Sequence, residues 1–375
     1  MLLGSRQGPT PRIRLESLDV FRGLTIAGMI LVSTPGTWDA VYPALEHAAW
    51  NGWTLADLVF PFLLFAMGAA VPFALARRRG QQSVRRHVMR RAAILFALGL
   101  LLNAIETAPP LSLATFRIPG VLQRIALVYL AVSWLTEGTS TRTQIAVATG
   151  ALVGYWVAIT WIPVPGCLRP TLSAECNIGS FIDRQLFGRH MLYPTWDPEG
   201  LFSTIPAVAT ALFGVLAGDW LHAPAARHRT LALFGAGVLA VVIALMWHRV
   251  FPINKNLWTS SFALFTAGLA AQVIALCHWL LDIHRWRAWS HPFVAFGRNP
   301  LAGYFLSVGL DSLLTRWSTP QHLSIKVFLY RTLFASWLRG CCGTEAASLA
   351  YALAYVGLWA LVLGEMHRRR IYIGI

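Results

Sequence analysis

The chain has 375 residues, of which 56% are hydrophobic and 13% charged. A soluble domain carries roughly 25% charged residues, so this composition leaves too little polar surface for a dissolved globule and points to a bilayer as the solvent. The net charge of +15 would raise nucleic acid as a partner of a soluble protein, but in a membrane chain basic residues gather in cytoplasmic loops, and no nucleic-acid partner is expected.

Residues 1–11 are short and polar, with no apolar core and cleavage site ahead of the first span. The first span, behind Arg12 and Arg14, is therefore expected to act as an uncleaved signal anchor. Apolar runs bounded by charge, Gly or Pro predict about ten transmembrane helices, at 18–35, 54–76, 92–107, 119–136, 144–163, 201–221, 230–250, 257–280, 292–314 and 347–366. The run from Val327 to Leu338 is amphipathic, carries Arg331, and reads as an interfacial helix. The predicted fold is an all-α, polytopic transmembrane bundle, one domain over 1–375, with the lipid bilayer as its surroundings.

With the N-terminus placed in the cytoplasm and the spans alternating, 18 of the 31 Lys and Arg fall in cytoplasmic segments, nine in external ones and four in or at the ends of spans. The external ones sit mostly in long loops, where the positive-inside rule is weak, so both termini are predicted cytoplasmic. Cys341 and Cys342 are adjacent and lack zinc-pair spacing, and no metal site is expected. Cys277 lies in an apolar run and reads as core. Cys167 and Cys176 share a long external loop and would form a disulfide if it faces an oxidising compartment.

A charge at the bilayer centre costs about 2.5–3.5 kcal/mol on insertion scales, so polar groups near spans need a reason. Asp57 lies about one turn inside the second span, and His47 and Asn51 precede it on the external side. A carboxylate-oriented imidazole is a competent general base or nucleophile. If residues 51–57 are helical, Asn51 and Asp57 face broadly one way; the plain alternative is a helix cap at Thr54 with a structural Asp57. Asp19 and Arg22 are spaced for a helical ion pair at the cytoplasmic start of the first span, where they would also suit a phosphate-bearing cofactor. Arg117, Gln123 and Arg124, Asp197 and Glu199, and Asn254, Lys255 and Asn256 fall at or near the external side. Arg298 and Asn299 fall near mid-depth, where Pro300 is expected to break the helix. Together these residues imply a wet, charged cavity with its mouth outside. Trp50, Trp53, Trp161 and Trp258 read as an interfacial aromatic belt. None of this chooses between an enzyme and a transporter.

The blocks Arg14-Leu-Glu-Ser-Leu-Asp-Val-Phe-Arg-Gly23, His47-Ala-Ala-Trp-Asn-Gly-Trp-Thr-Leu-Ala-Asp-Leu-Val-Phe-Pro61, Arg117-Ile-Pro-Gly-Val-Leu-Gln-Arg124, Asp197-Pro-Glu-Gly200, Pro252-Ile-Asn-Lys-Asn-Leu-Trp258 and Gly297-Arg-Asn-Pro-Leu301 resemble the heparan-α-glucosaminide N-acetyltransferase family in its bacterial branch. The resemblance implies an acyltransferase of the bacterial inner membrane. Acetyl-CoA would enter from the cytoplasm and its acetyl group would pass to the amine of a glucosamine-type sugar outside. The position matching His47 is the family's catalytic histidine, with Asp57 or Asn51 orienting it here. Near the end of the first span the family often has Asn where this chain has Ser33, whose hydroxyl offers one donor in place of two. Arg22, Arg124, Arg298, Asn299, Asn254 and Lys255 are the candidates to hold the cofactor. Asp197, Glu199, Arg117, Gln123 and Asn256 are the candidates to hold the sugar. The competing readings are a secondary transporter or exporter of a small polar solute, and a membrane assembly protein without chemistry. The oligomeric state stays open, a homodimer included.

Overall fold

The computed structural model describes residues 15–76, 84–107, 112–222, 227–318 and 323–373. Arg12, Arg14 and the arginines at 77–79 lie outside the described residues, whereas the first predicted span, expected to act as the anchor, lies within them.

In lipid the backbone has no water to bond, so a spanning segment must close its own hydrogen bonds, and the apolar runs are indeed helical. The helices are α1 (Glu16–Ser33), α2 (Leu55–Ala76), α3 (Val84–Thr107), α4 (Val121–Gly138), α5 (Thr141–Trp161), α6 (Ile178–Phe187), α7 (Thr204–His222), α8 (Arg227–His248), α9 (Ser260–His278), α10 (His291–Arg298), α11 (Pro300–Arg316), α12 (Ile325–Tyr330), α13 (Ser336–Cys342) and α14 (Thr344–Arg368). Seven of them, α2, α3, α5, α7, α8, α9 with the turn that extends it to Ile283, and α14, are long and apolar enough to cross a membrane.

Two predicted boundaries change. The third helix starts at Val84, not at 92, because Arg85, Arg86, Arg90 and Arg91 interrupt the apolar run without interrupting helical geometry. The run at 292–314 is two helices: Asn299 leaves helical geometry, and Pro300 opens α11, where its missing N–H costs nothing. The predicted interfacial helix is α12, a wider π-type turn at Arg331–Ala335 and α13, with Lys326, Tyr330 and Ala335 buried.

Long helices in succession run in opposite directions, which gives the fold two ends. At one, Arg298 Nη1 donates to the Tyr372 hydroxyl at 3.0 Å and its Nε lies 4.0 Å from Asp19 Oδ2, so both ends of the described chain meet there. The arginines that begin α3, α5 and α8 and end α14 belong to this arginine end. At the other, the loop end, Thr37 N bonds Ser348 Oγ at 3.1 Å and Leu55 N bonds Ala44 O at 3.1 Å.

The centre is α1, α2, α7 and α9. With no hydrophobic drive between helices in lipid, small residues that let backbones touch supply the packing. A Cβ on Gly68 would stand 2.0 Å from Ala211 O and one on Gly214 2.1 Å from Phe65 O, so α2 and α7 meet backbone to backbone. Gly23 and Gly297 seat α10 against α1 in the same way, at 1.8 Å from Phe293 O and 1.7 Å from Asp19 O.

Candidate active site

Thr54 caps α2, and Asp57 closes the cap from the third helical position: its Oδ2 accepts the Thr54 backbone N–H at 3.1 Å. The same oxygen accepts Ala48 N–H at 3.1 Å, which folds the preceding loop back onto the helix. The remaining oxygen, Oδ1, stands 2.8 Å from His47 Nδ1. Residues 51–54 are irregular rather than helical, so this loop closure, not a shared helix face, joins His47 to Asp57. Asp57 is therefore both the cap and the orienting carboxylate. It is fully buried, whereas the His47 side chain is 46% exposed. The hydrogen bond assigns the proton to Nδ1 and makes Nε2 the acceptor nitrogen of the ring.

The turn before α9 completes the cluster. Lys255 Nζ lies 3.4 Å from Asp57 Oδ1 and almost equally close, 3.0 and 3.1 Å, to the two ring nitrogens of His47. Burial holds the Lys255 ammonium below lysine's ordinary range, against the pull of Asp57 and Glu199. Asn254 braces the turn: its side-chain oxygen accepts Leu257 N–H at 2.8 Å, and its amide donates to Asn51 Oδ1 at 3.2 Å. Asn256 sits half-buried in the same turn. Trp258 ends it at φ 49°, a conformation costly for a bulky residue, and is thereby turned inward. It is 1% exposed with the Arg124 guanidinium 5.1 Å over its ring, so it is core and not part of an aromatic belt.

A second cluster lies in the adjoining loops. Arg117 grips Asp197 through Nε at 3.0 Å and Nη2 at 2.8 Å, and reaches Glu199 at 2.6 Å. Burial works against the Arg117 charge, but Glu199 and Asp197 more than offset it and hold the guanidinium above its ordinary range. Arg124 bonds Gly200 O at 3.0 Å and the Ser203 hydroxyl. Gln123 is 3% exposed, and neither polar atom of its side chain has a hydrogen-bond partner among the described residues.

Two cavities approach each other through the bundle. One, of about 120 Å³, lies toward the arginine end, where Arg22 and Arg91 line it, and is walled by Ile26, Leu63, Leu95 and other apolar groups. The other, of about 680 Å³, opens at the loop end and is lined by Ser33, Thr34, Glu106, Asp311, Arg316 and Lys326 among others. Tyr304 lines both. His47 lines neither.

Residues 14–104 match a domain of unknown function, DUF5009. Over 96% of its length the chain is 27% identical to the human heparan-alpha-glucosaminide N-acetyltransferase and 28% identical to the mouse one. The chain resembles the heparan-alpha-glucosaminide N-acetyltransferases. It spans 59% and 60% of the length of these two relatives.

The residues expected to hold the cofactor do not form one site. Arg22, Arg298 and Asn299 stand at the arginine end, where Arg22 bonds Asp19 at 3.1 Å and Asn299 bonds Ile371 O at 3.0 Å and Ile373 N at 2.9 Å. Arg298 and Asn299 thus lie level with the first turn of α1, not at mid-depth, because α10 lies alongside α1 instead of beginning a longer span. Arg124, Asn254 and Lys255 stand at the loop end, roughly the length of α1 away, ~27 Å at 1.5 Å per residue. Of the sugar candidates, Arg117, Asp197 and Glu199 form one ion-pair cluster, while Gln123 faces the small residues Gly99 and Gly120. Cys167 and Cys176 form a disulfide with Cα atoms 5.8 Å apart, in the loops that carry the second cluster. Glu106, Arg91 and Tyr304 escaped the sequence reading: the two charges sit at the margins of a predicted span, where charge is ordinary, and a tyrosine in a span carries no signal.

Proposed function

We propose that the chain is a membrane-embedded acetyltransferase, which passes an acetyl group from acetyl-CoA at the arginine end to the amine of a glucosamine-type sugar at the loop end. The observation that carries this is the His47–Asp57 contact of 2.8 Å on the end opposite the arginines, in a chain similar along 96% of its length to enzymes named for that transfer. The arginine end would be cytoplasmic and the loop end external, across a bacterial inner membrane. The excess of positive charge at one end and the disulfide at the other support that orientation.

The arginine-end cavity suits a phosphate-bearing molecule with a narrow apolar arm. Its walls are mostly apolar, Arg22 and Arg91 are among its lining, and Arg91 Nε is buried without a hydrogen-bond partner among the described residues. Arg22 and Arg91 would hold the phosphates of acetyl-CoA, which supplies an activated thioester carbonyl when bound. An ammonium cannot attack that carbonyl, so a base must first take a proton. His47 Nε2 would take it, Asp57 would stabilise the imidazolium through Nδ1, Lys255 would offer positive charge to a developing oxyanion, and the proton held by His47 would pass to the CoA thiolate that departs as the C–S bond breaks.

Transport of a small polar solute is the second reading. It is favoured by the two cavities, which lie toward opposite ends and are parted by Tyr304. Purified protein incubated with isotope-labelled acetyl-CoA and a panel of amino sugars separates the two. N-acetylated product by mass spectrometry supports the enzyme. Uptake of amino sugar into sealed vesicles without acetyl-CoA, and no product, supports the transporter.

A further inference from the structure

The loop-end cavity carries a charge pattern that the His47 cluster does not use. Four ionisable groups from α3, α11 and α12 line it: Glu106, Asp311, Arg316 and Lys326, with Asp39 at the rim. Two of the four satisfy each other, since Lys326 Nζ stands 2.9 Å from Asp311. Asp39 takes a hydrogen bond from the Thr37 hydroxyl at 3.2 Å. Glu106 and Arg316 remain. Neither makes a hydrogen bond or an ion pair among the described residues, although they are close enough for Arg316 to act on the Glu106 charge. Arg117, the other cation near Glu106, is committed to Asp197 and Glu199. A carboxylate and a guanidinium that line one cavity without pairing are satisfied together by a ligand with a cationic and an anionic group. The volume of about 680 Å³ accommodates a sugar ring with substituents.

We infer that this cavity is a recognition subsite for an amine that also bears an anionic group, such as an amino sugar carrying a phosphate, sulfate or carboxylate, with Glu106 taking the ammonium and Arg316 the anion. The inference rests on the acetyltransferase reading for its purpose, as the place where the acceptor waits before it gives up its proton. It does not need that reading for the binding itself. Thr34 and Ser312, on the same walls, would meet ring hydroxyls. The subsite is a positioning device and not a catalytic one.

The test is isothermal titration of the full chain in nanodiscs with glucosamine, glucosamine 6-phosphate and glucose 6-phosphate. Glucosamine 6-phosphate should bind more tightly than either of the others. Arg316→Gln should weaken glucosamine 6-phosphate about tenfold or more and leave glucosamine unchanged, with Arg316→Lys recovering part of the loss. Glu106→Gln should weaken both amines by a similar factor and leave glucose 6-phosphate unchanged. Because each variant is judged by a ratio between ligands, partial loss of folded protein does not imitate the result. Equal binding of glucosamine with and without its phosphate, or an Arg316→Gln protein that keeps the wild-type ratio, overturns the inference. A wild-type protein that binds the phosphorylated amine but acetylates nothing overturns the acetyltransferase reading and leaves the subsite standing.

Discussion

His47 Nδ1 lies 2.8 Å from Asp57 Oδ1, and the other oxygen of that carboxylate holds two backbone N–H groups, of Ala48 and Thr54. One side chain thus shapes the loop, starts α2 and fixes the imidazole. Stability and chemistry are coupled at this residue in a way that a surface His–Asp pair would not be.

The first prediction follows from that double duty. Asp57→Asn keeps one acceptor but loses the charge and presents a donor toward the ring, which favours the wrong tautomer. Turnover should fall by roughly 10²–10⁴-fold, and the unfolding midpoint should fall as well, since two charge-assisted bonds to backbone N–H weaken. Thermal unfolding in detergent alongside acetyl-transfer kinetics measures both. A large fall in turnover with an unchanged midpoint would mean that the cap does not depend on the carboxylate charge.

Lys255 gives a pH prediction. Its ammonium loses its proton below lysine's ordinary range because the side chain is buried, even though Asp57 and Glu199 oppose the loss. If the charged form is the active one, turnover should decline on the alkaline side at a lower pH than a free lysine would give. Arg at this position stays protonated throughout, so Lys255→Arg should push the alkaline decline upward or remove it. A pH–rate profile of the two proteins checks this; identical alkaline limbs would exclude Lys255 as their source.

Asp183, on α6, predicts a stability effect with a defined sign. Burial pushes its carboxyl up to about 6 from the ordinary 3.8, although Leu201 N–H and Arg124 favour the charged form. A carboxyl with a raised folded-state pKa contributes stability that is complete below 3.8 and is lost as pH rises through about 6. The loss above that window is at most about 3 kcal/mol. Asp183→Asn still offers an oxygen to Leu201 N–H, so its unfolding midpoint should exceed that of the wild type at pH 8, match it near pH 4, and change little between. Melting curves across that range decide it.

The helices were legible because a long apolar run bounded by charge has one solution in lipid. Asp57 and His47 were legible because a carboxylate inside such a run demands a partner. How they meet was not: the contact is made by a loop folding onto its own cap, which no periodicity encodes. The arginines of α3 hid the start of that helix, because hydropathy follows side chains and helix geometry follows the backbone. Arg298 was misplaced in depth because a single apolar run from 292 to 314 contains a turn at Asn299. A Trp count says nothing of depth, so it does not mark Trp258 as core; its own positive φ, at the end of the turn, accompanies its inward position. Glu106 and Arg316 looked ordinary at helix ends, and only the cavity between them gives them a common purpose.

The central claim is that the imidazole at position 47 accepts the proton of the acceptor amine. A direct measurement is the rate of acetyl transfer from labelled acetyl-CoA to an amino sugar by wild-type and His47→Ala protein in proteoliposomes, at matched amounts of folded protein. Loss of about 10²-fold or more in the variant, with acetyl-CoA still bound, is the expected result. A variant that transfers acetyl at near wild-type rate would place the base elsewhere and contradict this account.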